Sequence, residues 1–271
     1  MENLSSYTIF DKPVPYKKLK IYPAIVKDYN EFNLYSICLA IEKNSIPIPE
    51  IISMTELEFI YYTSSLSEDS QMFFPYLIFF DRLLNLLLRK EDFENEEEGF
   101  EDIAKSLLRY KYDDKGKPIF IIDDMSYNSA DFEKIKEIVV EQNLIELPDE
   151  NISKEVRDSL EAARKYKMKL QREEPASFED YVISLAVVTG WSLEYIYNMT
   201  IRKFTKSIQR YDNLLHYNIF LSASMSGMVE FKDKSFIKHW LTNLDKKDKY
   251  ADVSVDYDAL QRKISFEDAK K

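Results

Sequence analysis

Only four of the 271 residues are glycine, and this scarcity limits what the chain can fold into more than any other single feature. Many-stranded sheets joined by tight hairpins repeatedly need a residue with positive φ, which glycine supplies at the least steric cost. A chain so poor in glycine favours helices. Its 45% apolar and 14% aromatic content is that of a packed core and not of a disordered segment. The fold class expected is therefore mainly α with small β-hairpins (α+β), an N-terminal β-hairpin followed by a helical bundle.

Along the chain, residues 7–25 alternate apolar and polar side chains around Pro13 and Pro15, which predicts two short strands joined at the prolines. From Val26 the spacing of Tyr29, Phe32, Leu34, Ile37, Cys38 and Ile41 suits one helix face ending near Asn44. The Ile46–Glu50 stretch is a connector, because its prolines remove donors and force their predecessors into extended conformation. Thr55 with Glu58 forms a capping-box signature for a helix to about Thr63. The apolar stretch Met72–Leu88 is interrupted by Pro75, Asp81, Arg82 and Asn85, which argues for a buried core helix over 70–90 and against a membrane span.

The run Glu91–Asp102 contains eight acidic residues and no basic one, and its self-repulsion makes it a solvated loop and the expected boundary. The domain reading is 1–90, hairpin and helices; 91–102, acidic loop; 103–245, a second hairpin with helices; and 246–271, a polar tail whose composition allows partial disorder. Asp113 to Lys117 suits a hairpin turn between 107–112 and 118–122, although the first arm equally suits a helix extended from Ile103. Asn128 or Ser129 caps a helix with Phe132, Ile135, Ile138, Val139 and Leu144 on one face. An exposed, charged helix is expected over 153–172, and a core helix over 178–188, capped by Ser177 and Asp180 and ended by Gly190. A short capped turn at 191–198, a long helix from Thr200 to about Ser222, a strand after Gly227 and a helix around 237–244 complete the reading. Met54-Thr55 with Phe59 and Met199-Thr200 with Phe204 share one pattern, that of a Thr-capped helix start.

Chemistry-bearing residues are sparse. His216 and His239 are 23 positions apart without ligand spacing, and Cys38 sits on a presumed buried face where a thiol acts as a small hydrophobe. The aspartate pairs 113–114 and 123–124 are explained by turn chemistry, and no phosphate-cradling glycine loop can be drawn. No catalytic, cofactor-binding or metal-ligating residue is expected, no cofactor is implied, and the protein is read as not an enzyme. A formal charge of −11 disfavours duplex binding, which depends on displacing counterions from phosphates. The single cysteine fits a reducing compartment, and the first residues lack the succession of a signal peptide.

The 19 Tyr and 17 Phe exceed what such a core needs, and tyrosine serves both packing and interfaces. The candidate protein-binding residues are Tyr29, Phe32, Trp191, Tyr195, Tyr197 and Phe204. Several strings bear on identity together: Val14-Pro15-Tyr16 through Ile21-Tyr22-Pro23, Asp28-Tyr29 through Phe32, Ile51 to Thr55, and Trp191 through Thr200 with Phe204. In this order they resemble tail assembly chaperones or baseplate hub assembly proteins of tailed bacteriophages infecting Firmicutes. The resemblance spans most of 14–245 and carries no active-site residue. It implies a chaperone in the host cell cytoplasm that covers apolar helical segments of the tape measure or hub protein, with self-association open and no nucleic-acid or membrane partner. Two other readings are a baseplate or hub subunit retained in the virion, and an acidic inhibitor of a host nucleic-acid enzyme.

Overall fold

The computed structural model describes residues 4–43, 46, 48–70, 72–88, 107–148, 176–227 and 239–242, together with 156, 158–160, 162–163 and 166. It is an α+β fold with two small antiparallel sheets. The chain divides into two compact units, residues 1–150 with 189–205, and residues 151–188 with 206–271.

The first unit begins with α1 (Leu4–Ile9), so Tyr7–Ile9 are helical where a strand was expected. The hairpin itself is β1 (Val14–Tyr16) against β2 (Leu19–Ile21), paired Val14 to Ile21 and Tyr16 to Leu19. It turns at Lys17-Lys18 and not at the prolines. Lys17 takes φ 50, which the proline ring forbids. Pro15 instead faces Lys20, where the alternation of an antiparallel pair leaves no ladder bond for a missing N–H to break.

The expected helix over 26–44 is shorter and changes pitch. A 3-10 turn at Val26–Asp28 leads into α2 (Tyr29–Tyr35), and a second 3-10 turn follows at Ser36–Leu39. The tighter winding rotates Cys38 and Leu39 into the core and leaves Leu34 and Ile37 exposed, against the single-face reading. Of the expected connector Ile48 is extended, but Pro49 already sits at the start of α3 (Pro49–Ser53), where its missing N–H costs nothing.

α4 (Glu56–Ser65) opens with the capping box: the Glu58 N–H donates to Thr55 Oγ1 at 3.2 Å, and the Thr55 N–H donates to Glu58 Oε2 at 2.7 Å. α5 (Tyr76–Leu88) starts after Pro75 and buries Phe80, Leu83, Leu84 and Leu87. Its buried Asp81 accepts the Leu108 N–H at 2.8 Å and an Asn85 amide hydrogen at 3.3 Å, which explains a carboxylate in so apolar a helix. The acidic run 91–102 lies outside the described residues.

Beyond it, β3 (Arg109–Tyr112) and β4 (Pro118–Ile122) form the expected hairpin, with the strand reading of the first arm realised at 109–112. β5 (Met125–Tyr127), which the sequence reading missed, pairs with β4 across Asp123-Asp124, both in left-handed conformation. α6 (Ser129–Asn143) is capped by Asn128, with Asp131 completing the box.

These elements share one core, and the acidic run is therefore not a boundary between independent halves. Phe80 from α5 packs at 5.3 Å from Phe120 of β4 and 5.0 Å from Phe132 of α6, and Phe120 stacks on Tyr127 at 5.2 Å. The end of α6 clamps the chain leaving β2: Gln142 Nε2 donates to the Ile21 carbonyl at 3.1 Å, and Asn143 Oδ1 accepts the Ala24 N–H at 2.8 Å. Residues 189–205 return to this unit through a bridge, Val26 N–H to Met199 carbonyl and Ile201 N–H to Ala24 carbonyl, both 2.9 Å.

One carboxylate ties the first hairpin to α6. Asp131 accepts the Tyr16 hydroxyl and pairs with the Lys17 ammonium, each at 2.6 Å, while Lys17 lies over the Tyr127 ring. Burial raises the Asp131 carboxyl, but Lys17, Tyr16 and the Asn128 N–H outweigh it and hold the group below its ordinary value. Burial and the same carboxylate push Tyr16 up to about 12. A carboxyl depressed on folding stabilises fully above its unfolded value near 3.8 and loses that contribution as pH falls through the folded value. Asp131→Asn is accordingly expected to cost about 1–3 kcal/mol at neutral pH, with the deficit shrinking below pH ~4. Denaturation midpoints across that range check this; an equal deficit at acid and neutral pH would rule out a charge-borne tie.

In the second unit, the described positions between 156 and 166 are helical and mostly exposed. α7 (Phe178–Thr189) is capped as expected, the Asp180 N–H donating to Ser177 Oγ at 3.1 Å. It is not a core helix, since only Val182 and Leu185 are buried and Val187 is 78% exposed. α8 (Leu193–Tyr197) belongs to the first unit, and α9 (Ile201–Met225) starts there and runs on into the second. Within the second unit, Arg210 Nη1 on α9 donates to the Trp240 and Thr242 carbonyls at 2.5 and 3.0 Å. His239–Thr242 form a turn where a helix was expected; the strand after Gly227 and the tail lie outside the described residues.

Candidate functional site

The site is built from the segment that returns to the first unit. Gly190 takes φ 71, a left-handed conformation that L side chains rarely adopt, and turns the chain out of α7. Ser192 then caps α8, its Oγ accepting the Tyr195 N–H at 3.2 Å. A five-residue helix has little stability of its own. It is held by Ile196, fully buried, and by the bridge that follows at Met199.

With Ile196 fixed inside, its neighbours are forced outward. Trp191, Leu193, Tyr195 and Tyr197 are between 38% and 49% exposed, and the Trp191 and Tyr195 rings meet edge to face at 5.3 Å. Beside Tyr195 lies a cleft of ≈ 260 Å³ walled by Tyr22, Pro23, Ile25 and Met199. Its polar side is already paired: Asp11 accepts the Thr200 hydroxyl at 2.8 Å and faces the Lys203 ammonium at 3.5 Å. The arrangement offers rigid, amphipathic aromatic surface next to a recess that holds about one large side chain, which are the attributes of a protein-binding anchor site.

Of the six candidate residues, Trp191 and Tyr195 are brought together on this surface; Tyr197 is exposed as well, but on the other side of the buried Ile196. Tyr29 is half-buried against the core. Phe32 and Phe204 are core side chains, which removes them from any surface this conformation presents. For Phe204 the cause is the cap: Thr200 accepts the Lys203 N–H and starts α9, placing Phe204 one turn on and inward, as Thr55 does for Phe59.

The sequence reading missed the exposed apolar residues of α7, Tyr181, Ile183, Val187 and Val188, because a helix apolar around most of its circumference reads as buried. Cys38 is fully buried, and burial pushes its thiol well above the usual range. His216 lies 3.4 Å from Asp212, and His239 packs against Tyr217, both exposed and apart from the aromatic surface in sequence. Among the described residues no group of three or more His, Cys, Asp or Glu is placed to hold a metal ion, and no helix is long and apolar enough to cross a membrane.

Residues 168–245 match the family model described as the YomV second domain, a phage-derived family. No curated protein and no solved structure matches the chain. The matched segment contains Trp191, Tyr195 and Tyr197 together with the exposed apolar residues of α7.

Proposed function

We propose that this phage-associated chain works by binding another protein and catalyses no reaction, acting as a tail assembly chaperone that covers apolar helical segments of the tape measure or hub protein. The observation that carries the reading is the exposed Trp191–Tyr195 pair at the start of α8, inside the phage-family segment. Large apolar side chains grouped at a surface and rigidly mounted on a buried residue favour an interface over chance exposure. An apolar helical client supplies the matching side chains, reading out as anchors at helical spacing. The net charge of −11 keeps such a complex soluble and discourages acidic partners.

Affinity purification from phage-infected cells, compared with a protein inventory of mature particles, tests the proposal. Capture of the tape measure or hub protein from lysate, with the chain missing from virions, is the expected result. Stoichiometric presence in virions makes it a baseplate or hub subunit instead and overturns the chaperone reading.

A further inference from the structure

The recess beside Tyr195 is walled on one side by Tyr22, Pro23 and Ile25, and these residues lie in a basic stretch. From Lys12 to Lys27 the chain has five lysines and no acidic residue, in a protein whose net charge is −11. Two of the five are engaged: Lys17 pairs with Asp131, and Lys12 lies over the Phe10 ring at 5.7 Å. Lys18, Lys20 and Lys27 are exposed, and their ammonium groups have no partner among the described residues. Side chains alternate along a strand, so Lys20 projects on the side of β2 that Tyr22 continues. Lys27 sits on the 3-10 turn Val26–Asp28, which packs on α8. Along the chain these two cations bracket the wall of the recess. The nearby carboxylates are mostly taken: Asp11 holds the Thr200 hydroxyl and faces Lys203, and Asp28 is itself partnered, which leaves Glu194 on α8.

We propose that the segment docked at this surface is a helix of a partner protein with carboxylates beside its apolar anchors. One large apolar side chain fills the recess, a second one turn away lies against Trp191, and the flanking carboxylates meet Lys20 and Lys27. The Trp191 and Tyr195 rings are 5.3 Å apart, close to the helical pitch of about 5.4 Å that separates two such anchors. The apolar anchors supply the burial, and the lysines select the charge beside them. The net charge of −11 acts against acidic proteins as wholes, so the selection is local: a short acid-flanked segment on a partner that is not strongly acidic overall. The inference rests on the binding surface proposed above and adds the charge pattern of what it binds.

The test uses the full chain and three synthetic helical peptides of about four turns, with the same two leucine anchors one turn apart, flanked by glutamates, glutamines or lysines. In fluorescence anisotropy the glutamate-flanked peptide is expected to bind about tenfold more tightly than the lysine-flanked one, with the gap narrowing as salt rises. Lys20→Glu with Lys27→Glu, at exposed positions and with the unfolding midpoint unchanged, should reverse that order and leave the glutamine-flanked peptide nearly unaffected. Trp191→Ala with Tyr195→Ala should weaken all three. Equal affinities, a preference for lysine, or a glutamate preference that survives the charge reversal overturns the charge inference. The anchor site itself stands in those cases if the aromatic double variant still weakens the glutamine-flanked peptide, and falls with the inference if no peptide binds. A single-stranded oligonucleotide that displaces the glutamate-flanked peptide at equal concentration would make the basic stretch a nucleic-acid site and overturn the proposal too.

Discussion

Phe80→Ala is expected to destabilise the first unit by about 3–5 kcal/mol, the range for truncating a fully buried aromatic. The ring is completely enclosed and touches Phe120 and Phe132, so its loss leaves a cavity bordered by α5, β4 and α6 at once. Neighbouring side chains cannot collapse into that space without moving either the sheet or a helix. Because the three elements come from both sides of the acidic run, the damage should cross it. Hydrogen exchange should show amides of 56–88 and of 109–143 losing protection together. If 109–143 kept its full protection while 56–88 lost it, the two stretches would be separate folding units and the single core described above would be wrong.

Trp191→Ala combined with Tyr195→Ala is expected to weaken client binding by about thirtyfold or more, because truncated aromatic anchors at interfaces commonly cost 2 kcal/mol or more. Stability should change little, within about 0.5 kcal/mol, since both rings are substantially exposed and Ile196, which mounts the helix, is untouched. Phe204→Ala serves as the contrast: it is buried, so it should lower the unfolding midpoint while leaving the affinity of the folded fraction near that of the parent. Binding measured against a tape measure or hub fragment, with unfolding midpoints for all three proteins, separates these cases. A double variant that binds normally would remove α8 from the interface, and one that unfolds would return Trp191 and Tyr195 to the core.

Local elements were legible wherever a short-range physical signal was complete. Thr55 with Glu58, Ser177 with Asp180, and Thr200 each started a helix where the sequence placed one, because a cap joins groups three residues apart and needs no distant partner. The turn at 113–117 was equally plain, with Asp113 Oδ1 accepting the Lys115 and Lys117 N–H groups. The errors fell where two local signals competed. Pro13 and Pro15 marked extended chain correctly but not the turn, and the apolar run after Val26 concealed a change from α to 3-10 winding at Ser36.

Which aromatics reach solvent was a different kind of question. Phe32, Tyr195 and Phe204 are helical and Trp191 lies just ahead of α8, and their local sequence does not say which of them is buried. Phe32 and Phe204 are buried because other parts of the first unit close over them; Trp191 and Tyr195 are exposed because α8 spends its one inward position on Ile196. The same holds for α7, whose composition suited a core although only Val182 and Leu185 of it are buried.

The sequence alone therefore determined the glycine-poor, mostly helical character, the helix starts and the hairpin at 113–117, since caps, prolines and turn residues act through bonds to near neighbours. Tertiary structure alone decided that the stretches on either side of the acidic run share one core around Phe80, that the end of α6 clamps the first hairpin, and that Trp191 and Tyr195 face outward. Those outcomes depend on contacts between residues tens to more than a hundred positions apart, such as Asn143 with Ala24. Burial is a property of such contacts and is not encoded in any single stretch of chain.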